Sequence, residues 1–226
     1  MTLLNDILNI FFPRCCAGCS GLLTDSELYI CTECLYLLPR TNYWREKDNL
    51  VAKIFWGRVY IENAASYLHF VKGSRLQQII HHLKYKNQKQ IGEYLGRIYA
   101  QELINTDFTN IDAIVPVPLH PKKLKKRGYN QSEHIAIGMS SVMKKEVITN
   151  SLIRLSQNKS QTLKSRFERW ENVQDVFEII NPELIANKHV LLVDDVLTTG
   201  STLESCINAL LKIDGIKVSI FTISVA

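Results

Sequence analysis

Apolar positions recur along the chain with two different periods, and the switching between them predicts the elements. In "MTLLNDILNIFF", Leu3, Leu4, Ile7, Leu8 and Phe11 fall at helical spacing and predict an amphipathic helix. In "RLQQIIHHLKYKNQKQIGEYLGRIYAQEL", Leu76, Ile79, Ile80 and Leu83, then Ile91, Leu95, Ile98 and Leu103, predict two helices with a polar break at Lys86 to Lys89. The apolar, β-branched run "IDAIVPVP" at 111 to 118 predicts a buried strand. Two prolines end it, because proline lacks the N–H that a ladder needs. The exit, "PLHPKKLKKRGYNQ", reads as a loop before a helix from about Ser132 to Met143. Apolar runs at Leu152 to Leu155 and His189 to Val193, a helix from about Ser201 to Leu211 and a strand at Val218 to Val225 complete the alternation. Such alternation predicts an α/β domain with a mainly parallel sheet, whose ligands bind where loops leave the carboxyl ends of strands. Residues 35 to 57 show no clear period and read as a connecting segment.

Composition narrows the class. The 226 residues are 46% hydrophobic and 22% charged, which excludes a disordered or fibrous chain and suits one or two globular domains. The formal net charge of +5 is too mild to select a partner. No run reaches the roughly 20 apolar residues needed to span a bilayer. The N-terminal stretch also lacks the basic region and small-residue cleavage site of a signal peptide. The expectation is a cytoplasmic protein without membrane insertion.

Five of the six cysteines fall between positions 15 and 34, which argues against a disulfide framework spread over the fold. Cys16-x-x-Cys19 and Cys31-x-x-Cys34 form two matching pairs, the spacing that tetrahedral zinc requires. Four thiolates leave no open coordination position, so the zinc would be structural. Cys15 with Cys19 would also chelate, and that alternative to Cys16 stays open.

The densest chemistry lies in "HVLLVDDVLTTGSTLESC". Asp194 and Asp195 stand at the tip of a predicted strand, and Ser201 and Thr202 open the next helix. Hydroxyls of Thr198, Thr199, Ser201 and Thr202, with the backbone freed by Gly200, converge at a positive helix terminus and form a phosphate nest. Carboxylates only accept hydrogen bonds, so a pair of them beside a phosphate seat suits a ligand carrying hydroxyls. The ligand indicated is a ribose 5-phosphate, with a metal ion balancing further charge. Helix capping alone would explain one of these groups, not six polar side chains in nine residues. Elsewhere, Arg154, Lys159, Lys164, Arg166 and Arg169 occupy a polar segment that could order over an anionic ligand. Tyr43, Trp44, Phe55, Trp56 and Tyr129 lie near basic residues, as in a stacking groove for single strands.

These residues also carry a resemblance. "VLLVDDVLTTGST" resembles the phosphoribosyl-pyrophosphate (PRPP) motif of type I phosphoribosyltransferases. With "FPRCCAGC…CTEC", "HHLKYKNQKQIGEYLG", "VPVPLHPKKLKKRGYNQS" and "SQTLKSRFERWENVQDVF" in the same order, the whole chain resembles the ComF family (ComFC, GntX-like), named for DNA uptake and use. The resemblance implies a type I phosphoribosyltransferase-like parallel sheet with flanking helices, plus a small N-terminal four-cysteine zinc module. It implies an amphipathic helix and zinc module over residues 1–40, a connecting segment over 41–57 and the phosphoribosyltransferase-like domain over 58–226. It gives Asp194 and Asp195 as ribose-hydroxyl acceptors, and Leu197, Thr198, Thr199, Gly200, Ser201 and Thr202 as the 5′-phosphate cradle. Lys84, Arg127 and Arg169 are expected to contact ligand phosphates, with the loop from Pro118 to Arg127 near the pyrophosphate. Residues 156 to 172 are expected as a flap, and residues 58 to 72 with that flap as a hood over the acceptor. The cofactors implied are structural Zn²⁺ and Mg²⁺ with PRPP. The partners implied are PRPP or a related ribose phosphate, single-stranded DNA, and DNA-uptake or recombination proteins. Two functions follow: a Mg-dependent phosphoribosyltransferase of unknown acceptor, or a non-catalytic protein that senses a nucleotide while holding single-stranded DNA or docking a partner.

Overall fold

The chain was described from a computed structural model covering residues 13–155 and 176–226. Two long strands, β6 (His189–Leu197) and β7 (Lys217–Val225), pair in parallel from His189↔Lys217 to Leu197↔Val225. Their nearly unbroken apolar runs are what a strand covered on both faces demands. Val190, Leu191, Leu192, Val193, Ile220 and Phe221 are all fully buried. β1 (Ala64–His69) adds beside β7, β2 (Ala113–Pro116) beside β6, and the short β3 (Glu146–Val147) beside β2. The result is a five-stranded, all-parallel sheet in the order β1-β7-β6-β2-β3. A separate antiparallel ribbon joins β4 (Leu152–Arg154) to β5 (Phe177–Ile179).

The described helices are α1 (Thr32–Tyr36), α2 (Leu50–Phe55), α3 (Arg75–Tyr85), α4 (Gln90–Leu103), α5 (Pro121–Arg127), α6 (Gln131–Met143) and α7 (Ser201–Leu210). All of them except α5 contribute to two apolar clusters, one on each face of the sheet. On one face Leu76, Ile79 and Leu83 of α3 and Leu95 of α4 pack with Leu191, Val193 and Phe221. On the other, Val51 and Phe55 of α2 and Leu203 and Ile207 of α7 pack with Leu192 and Ile220. Full burial of such side chains stabilises the fold by about 1.5–3 kcal/mol each. α4 and α6 touch backbone to backbone. A Cβ on Gly96 would lie 2.2 Å from the Ile135 carbonyl oxygen, and one on Gly138 would lie 2.1 Å from that of Glu93. The cysteine-bearing segment is not detached from this core, because Cys16, Ala17, Ile30, Cys34 and Leu38 join the α3/α4 cluster.

Four expectations change. The exit of β2 is not all loop: residues 121–127 form α5, begun by Pro121 in the first turn and ended by Gly128 at φ 83°. This helix buries none of its residues, so it carries no apolar period to reveal it. The connecting segment holds α2, whose cap Asn49 accepts from the N–H groups of Val51 and Ala52 and donates to the Ala64 carbonyl at 2.7 Å. Residues 64–69, within the expected hood, are instead a strand of the main sheet, with five of six positions buried. β6 runs through the acid pair to Leu197, because pairing with β7 continues to Val225. The N-terminal amphipathic helix and the expected flap residues Lys159, Lys164, Arg166 and Arg169 lie outside the described residues. Among the described residues, no helix is long and apolar enough to cross a membrane.

Candidate functional site

β6 carries Asp194 and Asp195 directly from the sheet into a groove at the carboxyl ends of the strands. Asp195 is 4% exposed. Its Oδ2 lies 2.8 Å from Lys84 Nζ at the last turn of α3. Asp194 Oδ1 accepts from Ser132 Oγ at 2.8 Å and from the Asp195 N–H at 2.8 Å. Ser132 is held in place by Asn130, which accepts from the Ser132 N–H at 3.2 Å and donates to the Val117 carbonyl at 3.0 Å. Burial, with the Asp195 charge beside it, pushes the Asp194 carboxyl up to about 7. The Asp195 N–H, the Ser132 hydroxyl and Lys84 oppose that rise. Near neutrality the pair therefore holds charge that a hydroxyl donor or a cation would relieve.

The chain leaves β6 at Leu197 and turns at Gly200, whose φ of 80° caps the ten-residue α7. A side chain at Gly200 would also meet Ile54 at 3.0 Å and Phe55 at 3.3 Å, so α2 forms the floor of this turn. Thr198, Thr199, Ser201 and Thr202 are exposed, and the Thr199 and Ser201 hydroxyls lie 3.0 Å apart. Residues 197–203 line a 40 Å³ hollow with Asp194 and Val196. Free N–H groups and the helix dipole make such a hollow attractive to an anion. Arg58 fastens the turn from outside: it donates to the Thr199 carbonyl at 3.0 Å and the Ile54 carbonyl at 3.2 Å, and pairs with Glu204 of α7.

The opposite wall is cationic. Lys84, Tyr85, Asn87, Lys123, Lys126 and Arg127 surround a pocket of 380 Å³. Four of these residues also line a 260 Å³ cavity that includes Arg154, Asp194, Asp195 and Thr202. That cavity in turn shares Asp194, Val196 and Thr202 with the hollow at Gly200. Basic pocket, acid pair and hydroxyl loop thus form one continuous groove. Arg127 lies over the Tyr85 ring at 5.5 Å and bonds to Gln131, while Arg154 lies over the Phe177 ring at 5.2 Å.

Of the anticipated site residues, Lys84, Arg127, Asp194, Asp195 and the 197–202 loop meet in this groove, joined by Arg154. Arg169 lies outside the described residues. Arg58 and Ser132 were not anticipated. Arg58 stands in no recognisable motif; Ser132 closes the "VPVPLHPKKLKKRGYNQS" stretch, and the cap Asn130 just before α6 is a signal that could have singled it out. The aromatic groove does not form. Trp44, Phe55 and Tyr129 are buried, Tyr43 is half-buried, and Trp56 alone of the five is exposed. Their apolar area is worth more in the core than on a basic surface.

At the other end of α3, the sulfurs of Cys16, Cys19, Cys31 and Cys34 all lie within 4.8 Å of one another. Cys19 and Cys31 are 3.8 Å apart. Four sulfurs each about 2.3 Å from a central ion sit about 3.8 Å from one another, so the set fits a tetrahedral thiophilic cation. Burial pushes the Cys16 thiol up, but backbone N–H groups of Cys31, Gly18 and Cys19 outweigh it and bring it down to about 7. Burial raises Cys31 and Cys34 instead. Cys15 stands outside the cluster, exposed, with its thiol on the Pro13 carbonyl.

Comparison with known proteins agrees with this geometry. Residues 84–225 match the Phosphoribosyl transferase domain, and the chain belongs to that family. Among curated proteins, it is 29% identical to the DNA utilization protein YhgH of Escherichia coli over 141 residues, 61% of each chain. It is also 29% identical to Competence protein F of Haemophilus influenzae over 143 residues, covering 61% of this chain and 62% of that one. These relatives bear out the resemblance to the ComF family; the chain spans about three-fifths of their length. A glutamine PRPP amidotransferase from B. subtilis aligns at 20% identity and a TM-score of 0.41, over 59% of this chain and 26% of that one. At that distance the alignment adds nothing to the family match.

Proposed function

We propose that the groove binds PRPP, or a closely related ribose 5-phosphate, together with Mg²⁺, and that this binding serves DNA uptake or use. The observation that carries the reading is the continuity of hydroxyl loop, acid pair and cationic pocket, in the order of a 5′-phosphate, ribose hydroxyls and a pyrophosphate. The loop at Thr198 to Thr202 would seat the 5′-phosphate. Asp194 and Asp195 would accept from the ribose hydroxyls. Lys84, Lys123, Lys126 and Arg127 would face the pyrophosphate. The hard carboxylate oxygens of the acid pair fit Mg²⁺, which would neutralise pyrophosphate charge as that group leaves. In a transfer reaction the chain's own contribution would be to hold ribose C1 in line and to stabilise the departing oxygens. The acceptor is unassigned. The printed names of the relatives supply the link to DNA.

Zinc is the cation proposed for the four thiolates, in a structural role, since a closed four-sulfur set leaves no position for chemistry. A second reading, a surface for single-stranded DNA, is favoured by α5, where Lys122, Lys123, Lys125 and Lys126 are all exposed on one short helix beside the groove.

Thermal unfolding tests the ligand reading. Mg-PRPP at about 100 times its dissociation constant should stabilise the protein by about 2.7 kcal/mol. An Asp194→Asn/Asp195→Asn variant should gain nothing. An equal shift in both proteins, or none in either, would count against it.

A further inference from the structure

We infer that Arg75 is a positioning residue, which ties the lysine of the ligand groove to the cysteine cluster through the body of α3. The inference rests on the ligand site proposed above and adds a dependence of that site on the metal cluster. Arg75 opens α3, next to the cap Ser74. Its Nη1 lies 3.6 Å from Cys34 Sγ and its Nη2 lies 2.9 Å from Glu33 Oε1, so the guanidinium spans a metal-ligating thiol and the residue before it. One turn further, Ile79 packs against the first cysteine knuckle. The point where Gly18 would carry a Cβ is 3.0 Å from Cys34 Sγ and 3.4 Å from Ile79 Cδ1. Leu76, Ile79 and Leu83 are fully buried along the same helix. With 11 residues, α3 ends about 15 Å from where it starts.

Its far end meets the groove at two points and the buried turn before α6 at a third. Lys84 Nζ lies 2.8 Å from Asp195 Oδ2, the Leu83 carbonyl accepts from the Tyr129 hydroxyl, and the Tyr85 ring supports Arg127 at 5.5 Å. A packed helix of three turns moves as one piece, so a shift at Arg75 displaces all three. Metal binding cross-links the cysteine knuckles that Arg75 and Ile79 contact, and metal loss removes that cross-link.

The test uses the full zinc-loaded chain with Arg75→Ala, Arg75→Lys and Lys84→Met, alone and combined. Mg-PRPP affinity and amide exchange at Leu83, Lys84 and Tyr85 are measured. Arg75→Ala should weaken PRPP binding at least about fivefold, the low end of coupling between sites. Arg75→Lys should recover most of that loss. In the Lys84→Met background Arg75→Ala should add less than about twofold, since the two residues act through one element. Exchange at the three amides should quicken by about tenfold in Arg75→Ala, with Leu95 and Tyr99 of α4 unchanged. Independent, multiplying effects of the two substitutions, or unchanged exchange, would overturn the inference. If wild-type protein fails to bind PRPP, the ligand reading falls by itself. Exchange then decides the inference alone: local quickening supports it, and none overturns it.

Discussion

Lys84 and Asp195 are joined at 2.8 Å, one from the end of a helix and the other from the middle of the sheet, with Asp195 buried. Removing one partner of a buried pair leaves an uncompensated charge, which costs more than the pair contributes. Lys84→Met should therefore lower unfolding free energy in denaturant by about 2–4 kcal/mol. Lys84→Met combined with Asp195→Asn should recover part of the loss. A single variant as stable as wild type would mean that the pair is not maintained in solution.

Asp194 predicts a pH dependence. Its carboxyl is raised from 3.8 to about 7 by burial and by Asp195, so between those values the folded chain binds a proton that the unfolded chain has released. Stability from this group is then present below pH about 4 and lost as pH rises toward 7. The stability of wild type relative to Asp194→Asn should fall over that window. A flat difference curve would contradict the assignment.

Gly200 stands at φ 80° with Ile54 and Phe55 at 3.0 and 3.3 Å from any Cβ. Gly200→Ala should destabilise by about 1–3 kcal/mol from backbone strain and crowding. It should also weaken phosphate binding, because the turn that points the N–H groups would shift. Denaturant midpoints and binding of inorganic phosphate, measured together, check both effects.

The cysteine geometry sets a metal prediction. Purified protein should carry about one equivalent of zinc, from the four-ligand set. Cys15→Ser should retain it, because Cys15 lies outside the cluster, whereas Cys16→Ser should lose it. Chelation should expose hydrophobic surface, since Cys16 and Cys34 belong to the α3/α4 core. Metal retained by Cys16→Ser and lost by Cys15→Ser would reverse the ligand assignment.

Much of this arrangement was legible in the sequence. The central strands, α3, α4, α6 and α7 announce themselves by period, and the acid pair, the Gly200 loop and the four clustered cysteines by composition at fixed spacing. What escaped did so for physical reasons. α5 has no buried face, and β1 reads "AASYLH", with neither a β-branched run nor clean alternation. The aromatic positions near basic residues were misleading because side-chain direction is decided by packing: Trp44 stacks on Tyr67 at 4.5 Å inside the core. Arg58 reaches Thr199 across 141 positions of sequence, and Ser132 reaches Asp194 across 62, distances at which no local pattern exists.

Calorimetric titration with Mg-PRPP, alongside ribose 5-phosphate and pyrophosphate alone, tests the central claim most directly. If one groove seats phosphate, ribose and pyrophosphate together, PRPP should bind with micromolar affinity, roughly −8 kcal/mol, and each fragment far more weakly. Asp194→Asn/Asp195→Asn should abolish the PRPP signal. A folded, zinc-loaded protein that binds pyrophosphate as tightly as PRPP, or binds neither, would contradict the account.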